Sequence, residues 1–150
     1  MAALLAACGG FLLAVLWMDL MFDVQVLRHG RAPAPLPEPV LASIAAYYRR
    51  VTTDANPMGW AVGAVMIAAL AASLVQLARG GGALAPRIAA PALVALPAAL
   101  AARRVLPNAV RLGSRGDPVE VQSALARAIC RDHLLCLAAI AALVALELAA

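Results

Sequence analysis

Four stretches of this chain are long and apolar enough to cross a lipid bilayer, and no other feature limits its fold so strongly. A crossing helix needs about 20 largely apolar residues at about 1.5 Å of rise each. Residues 2–24, 57–78, 84–106 and 131–150 meet that length. In hydrocarbon every backbone N–H and C=O must be satisfied within the segment, so such runs fold as helices. The expectation is an all-α chain, a four-helix transmembrane bundle forming one four-span domain over residues 1–150. Composition agrees: 65% of the residues are hydrophobic and 13% charged, with mean hydropathy +0.89. A soluble domain is usually under half apolar, with about a quarter of its residues charged. An ordinary soluble enzyme, a disordered chain and a nucleic-acid binder are excluded, despite the net charge of +4.

Leu5-Ala6-Ala7-Cys8 matches the pattern at which bacterial lipoproteins are cut and lipidated. No basic residue precedes it, and the apolar run continues to Met18, so the segment is expected to remain as a membrane helix. Cys8, Cys130 and Cys136 are too scattered for a disulfide framework and are expected as buried thiols.

Charge sets the orientation. Every basic residue is arginine, which together with the abundant alanine points to a GC-rich bacterial genome. Arg28, Arg31, Arg49 and Arg50 lie between the first two spans, and Arg103, Arg104, Arg111, Arg115, Arg127 and Arg131 lie between or at the ends of the last two. The opposite side has Arg79 and Arg87 alone. Arginine accumulates on the cytoplasmic side. Both long connections are therefore expected in the cytoplasm, and both termini on the outer side of a bacterial inner membrane. Trp17, Phe22, Tyr47, Tyr48 and Trp60 fall near the cytoplasmic ends, as an aromatic belt does.

Those connections are not plain loops. Asp117-Pro118-Val119-Glu120 reads as a helix start, with Asp117 as the cap and Pro118 at the first helical position. No Pro or Gly follows before Ala150. A helix of that length spans about 50 Å, of which about 30 Å fits in hydrocarbon, so its first turns should project into the cytoplasm. Residues 39–54, after a Pro-rich stretch at 32–37, are also uninterrupted and amphipathic, and Pro57 marks a kink or a new first turn. Helices 2 and 4 are thus expected to extend into the cytoplasm. Pro91 and Pro97 predict a kink in the third span, and Gly59 and Gly63 form a small-residue face for close helix packing.

Counting residues inward gives depth. Asp19 falls about one turn inside the cytoplasmic boundary, level with Arg103 and Arg104, while Asp23, Arg131, Asp132 and His133 fall at it. Asp19 and Asp23 are four apart and share a helix face, as do Arg50 and Asp54. A carboxylate in apolar surroundings needs a cation. The expectation is a polar cluster of Asp19, Asp23, Arg50, Asp54, Arg103, Arg104, Arg131, Asp132 and His133, with Asn56 and Asn108 at its edge. Within it Asp19 should pair with Arg103 or Arg104, or with Arg131.

Three uses fit such a cluster: an ion-pair belt that holds the helices in register, the floor of a pocket for a small amphipathic or aromatic ligand, or a metal site. The absence of any His-x-x-His or Glu-x-x-His pair and the many arginines argue against a metal. His29 and His133 are not placed to hold a haem, so no cofactor is expected. His133 alone reads as an interfacial residue, Tyr47-Tyr48 as belt or packing, and Glu147 as a solvated residue near the outer surface. No catalytic residue is assigned.

The layout resembles a broad group of small four-helix bacterial membrane proteins that includes the anthrone-oxygenase-like family. The resemblance rests on Gly9-Gly10 in the first span, the amphipathic helix before span two, the step Leu106-Pro107-Asn108-Ala109-Val110-Arg111, and Arg127, Arg131 and His133 leading into span four. It implies oxygenation of a polycyclic phenol without metal or flavin. Two classes stay open: a membrane protein that binds a hydrophobic small molecule, and a non-enzymatic subunit or assembly factor that binds another membrane protein. An open cleft floored by ionised groups favours the first, and exposed Gly-containing faces favour the second. The lipid bilayer is a partner in either case.

Overall fold

The computed structural model describes residues 1–29, 34–54, 57–80 and 84–149. Arg31, Asn56 and Ala150 lie outside them, as does part of the Pro-rich stretch. The α-helices are α1 (Ala2–Asp23), α2 (Glu38–Arg49), α3 (Pro57–Arg79), α4 (Leu84–Leu100), α5 (Leu106–Ser114) and α6 (Val119–Leu148). A 3-10 turn, Val24–Arg28, prolongs α1, and π-helical turns cover Arg50–Asp54 after α2 and Ala101–Val105 between α4 and α5. No strand occurs among the described residues.

Four helical stretches are long and apolar enough to cross a membrane: Ala2–Arg28, Pro57–Arg79, Leu84–Ser114 and Val119–Leu148. The stretches close into a ring, with α1 against α3 and α6, and α4 against α3 and α6. Successive spans thus touch one another and the last closes on the first, the arrangement of a four-helix bundle.

The buried apolar residues form two layers. One lies within the spans and joins Leu5 and Leu12 of α1, Ala69 and Ala72 of α3, Val94 of α4, and Ile140 and Leu143 of α6. Close approach there depends on Gly9, where a Cβ would stand 2.5 Å from Val144 Cγ2. The Gly59–Gly63 face is not used in this way: Gly59 is exposed, and nothing lies within 4 Å of a Cβ at Gly63. The second layer joins α2, α5 and the first half of α6 through Leu41, Ile44, Leu112, Leu125, Ala126 and Ile129. On α2 the buried residues are Leu41, Ile44, Ala45 and Tyr48, the i, i+3, i+4, i+7 pattern of an amphipathic helix.

Helix α6 runs unbroken for 30 residues, through both layers. Its start differs in detail from the expectation. Pro118 is the N-cap residue and no side chain caps the helix. The Asp117 carboxylate instead accepts two hydrogen bonds from Arg111, each 2.8 Å, which removes it from the backbone N–H groups.

The third span also differs. The helix that carries it does not stop at the Pro-Asn step near residue 106 but continues to Ser114. Pro91 and Pro97 sit inside α4, while the change of helix type falls at Ala101–Val105, just before Pro107. A proline ring collides with the carbonyl four residues back and cannot donate to it. A π turn inserts one extra residue and relieves that collision without ending the helix.

Candidate functional site

A layer of polar side chains separates the two apolar cores. Asp19 and Asp23 come from the last turns of α1, Tyr47 and Tyr48 from the end of α2, Arg104 from the π turn after α4, and Arg131, Asp132 and His133 from the middle of α6. The four-residue spacing of the two aspartates places both carboxylates on one face. His133 lies about 21 Å along α6 from its first residue.

The geometry centres on His133. Its Nδ1 is 2.6 Å from Asp23 Oδ2, and its Nε2 faces Asp19 Oδ2 at 3.8 Å. Tyr48 donates to Asp23 Oδ1 at 2.6 Å, and Tyr47 donates to Asp19 Oδ1 at 2.7 Å. A nitrogen lone pair so close to a carboxylate oxygen would be repulsive, so Nδ1 carries a proton and donates to Asp23. That fixes the ring and leaves Nε2 towards the less buried side, where the Asp19 side chain is 15% exposed. Asp23 is fully buried. Phe22 stacks on Tyr47 with ring centroids 4.2 Å apart, and Tyr48 packs edge-on against Tyr47.

Both phenols sit outside the spanning helices and are held above the usual tyrosine range. Burial is the largest cause for each; the hydrogen bond to Asp19 adds to it for Tyr47, and the charge of Asp23 for Tyr48. Each therefore remains an O–H donor, which the aspartates need.

Beside this group Asp132, fully buried, meets two arginines. Arg104 Nε stands 2.9 Å from its Oδ2 as an ion pair without hydrogen-bond alignment, and Arg131 Nε donates to Oδ1 at 3.3 Å.

The structure brings together six of the residues expected at the cluster: Asp19, Asp23, Arg104, Arg131, Asp132 and His133. It redistributes the partners. Asp19 pairs with none of Arg103, Arg104 or Arg131; Tyr47 and His133 face it instead. The π turn adds a residue to the helical count, which turns Arg104 onto Asp132 and leaves Arg103 exposed. The other π turn has the same effect on the expected Arg50–Asp54 alignment. Asp54 meets Arg49, five residues back, at 3.7 Å, and Arg50 is exposed. Asn108 is partly buried on α5, away from these contacts.

Two residues read as bland are not. Tyr48 is a buried hydrogen-bond donor at the centre of the layer, and Glu147 is 5% exposed, with its carboxylate within 3.3 Å of Gln76 Nε2. The signal for Tyr48 was present, since it occupies a buried position of the amphipathic pattern on α2 while carrying a hydroxyl that must be satisfied. Cys8, Cys130 and Cys136 are buried free thiols.

A carboxylate that fixes one imidazole nitrogen and leaves the other facing a second carboxylate can move a proton to or from a bound molecule. Among the described residues no three His, Cys, Asp or Glu side chains are arranged to hold a metal ion. No family model matches the chain, and neither a curated protein nor a solved structure is similar to it.

Proposed function

We propose that this is a multi-pass protein of a bacterial inner membrane whose polar layer binds a small amphipathic or aromatic molecule entering from the bilayer. One observation carries this reading. The 3.8 Å between His133 Nε2 and Asp19 Oδ2 exceeds hydrogen-bond length, so two polar atoms that make no hydrogen bond to each other face across a gap on the less buried side. With the ring proton on Nδ1, Nε2 and Asp19 both accept, so a ligand hydroxyl can donate to either of them, and a group with two N–H or O–H donors to both. The stacked Phe22–Tyr47 pair beside Asp19 supplies an aromatic wall for an apolar body. Ionisable groups within a membrane are costly and usually serve a site, which supports function over a purely structural belt.

The test is native mass spectrometry of protein released in mild detergent. A small molecule retained by the wild-type chain should be lost in Asp19→Asn and His133→Gln variants that remain folded. Equal retention in all three would overturn the reading. A second reading, a non-enzymatic subunit, is favoured by the unfilled Gly59–Gly63 face beside Trp60, which is 76% exposed. The same measurement would then show a stoichiometric protein partner in place of a small molecule.

A further inference from the structure

The polar layer is short of positive charge. Asp19, Asp23 and Asp132 bring three carboxylates, and the two guanidiniums that reach the layer, Arg104 and Arg131, both meet Asp132. Asp23 has a proton donor on each oxygen, Tyr48 on one and His133 on the other. Asp19 accepts from Tyr47 at Oδ1, while its Oδ2 has only His133 Nε2 opposite. A phenol and an imidazole with its single proton on Nδ1 supply hydrogen bonds but no charge.

The gap between Asp19 and His133 indicates what is missing. A proton on Nε2 or on Oδ2 would make this contact a hydrogen bond of about 2.7–2.9 Å. At 3.8 Å there is none, so the two atoms face each other as acceptors. Neither is sealed from solvent, although the His133 side chain is only 7% exposed and that of Asp19 15%. Two acceptors, one of them charged, thus meet at one small opening in apolar surroundings without a donor in common, where a carboxylate needs a cation.

One nitrogen placed about 2.9 Å from each atom bridges a gap of 3.8 Å, and needs two N–H groups to do so. A hydroxyl has one proton and reaches only one of the acceptors. Charge decides between a neutral and a cationic nitrogen, because an ammonium supplies what Asp19 lacks and makes charge-assisted bonds. The Phe22 and Tyr47 rings, stacked beside Asp19, offer an apolar wall, and aromatic rings attract a cation more than a neutral group. We infer, on the ligand-binding reading of this layer, that its ligand is a primary amine, held as the ammonium between Asp19 Oδ2 and His133 Nε2 with its apolar body against Phe22 and Tyr47. Free amphipathic amines and the headgroup of phosphatidylethanolamine both carry this group.

The experiment uses the full chain in uncharged detergent at neutral pH, where an alkylamine is ionised. Titration calorimetry compares phenylbutylamine, phenylbutanol and phenylbutyl-trimethylammonium, which share one apolar body and differ in charge and in N–H or O–H donors. Native mass spectrometry compares retention of phosphatidylethanolamine with that of phosphatidylcholine. The amine should bind about tenfold more tightly than the alcohol or the quaternary ammonium, and about tenfold more weakly to Asp19→Asn, with Asp54→Asn unchanged. Asp54 is an exposed carboxylate outside the layer, so its variant reports diffuse charge. Phosphatidylethanolamine retained over phosphatidylcholine without binding of phenylbutylamine would identify the lipid as the source; the reverse identifies a free amine. Alcohol bound as tightly as amine, and weakened by Asp19→Asn, overturns the ammonium and leaves the pocket standing. Equal binding of the quaternary ammonium overturns the two-donor bridge. Equal weakening by Asp19→Asn and Asp54→Asn, or binding of neither the amine nor phosphatidylethanolamine, also overturns the inference, whereas the pocket itself is judged by retention of a co-purified molecule. The ligand series is read on wild-type protein, so it decides even if Asp19→Asn fails to fold.

Discussion

Both carboxylate oxygens of Asp23 are committed, one to the Tyr48 hydroxyl and one to His133 Nδ1. Removing one partner from a buried charged pair leaves the survivor charged and dry, at a cost of about 3–5 kcal/mol. His133→Ala should therefore destabilise strongly, and adding Asp23→Asn should recover part of the loss. Unfolding in detergent, run as a double-mutant cycle, measures this; additive losses would show that the pair is not coupled. The phenols allow a separate check through pH. Tyr47 and Tyr48 are the only tyrosines, so tyrosinate absorbance reports on them alone. Their folded pKa values are raised by burial and by the neighbouring carboxylates. The stability they contribute is complete below the free value of about 10 and is lost as pH rises beyond it. Tyrosinate should thus appear only with unfolding, and Tyr48→Phe should flatten the alkaline loss of stability. Ionisation near pH 10 without unfolding would contradict the buried, hydrogen-bonded phenols. At this scale residue counting brought Asp19, Asp23 and the α6 triplet to one level, where the structure places them together. It could not give the partner of Asp19, because that depends on α2 laying Tyr47 across the end of α1.

Helix boundaries followed from proline and periodicity, while helix register did not. The amphipathic stripe of α2 and the unbroken run of α6 are visible in residue spacing, because each depends on its own segment. The π turns are not, because each responds to a local conflict that no hydrophobic pattern records. Each shifts later side chains by one residue, enough to exchange Arg50 for Arg49 as the partner of Asp54. Packing between elements is legible only at small residues, and there it is ambiguous. Gly10 and Gly113 look alike in sequence, but nothing lies within 4 Å of a Cβ on Gly10, whereas one on Gly113 meets the Arg49 backbone at 2.8 Å. Backbone cannot rotate away, so Gly113→Ala should force α2 from α5 and cost about 1–3 kcal/mol. Gly10→Ala should be neutral or slightly stabilising, since alanine favours a helix by up to about 1 kcal/mol over glycine. Thermal unfolding of the two variants side by side checks this, and equal effects would remove the close contact from the account.

Across the whole molecule, charge is divided as sharply as hydrophobicity. Nearly all the ionised groups gather around α2, α5 and the first half of α6, where the second apolar layer packs. The far end of the bundle has Arg79, Arg87 and the buried Glu147–Gln76 contact. A bilayer placed over the first core puts hydrocarbon against the exposed apolar side chains of α3 and α4, among them Ile67 and Ile88. The polar layer then falls near one membrane face, with α2 and α5 in water beyond it. Membrane insertion distinguishes the two faces by arginine near the span ends, because moving such residues across the membrane is opposed. Ten arginines against two are the basis for the orientation we propose, with the α2–α5 end in the cytoplasm and the start of α1 and end of α6 on the outer side. A reporter active only in the cytoplasm should therefore be silent when fused after Ala150 and active when inserted at residues 30–33, between the first span and α2. Strong activity at Ala150 would reverse the orientation, and the polar layer would then open to the outer face. Exchanging Arg49 and Arg50 for glutamine, while adding arginines beside Arg79, should weaken the topological preference and give mixed reporter signals, because the bias comes from the difference between the two faces.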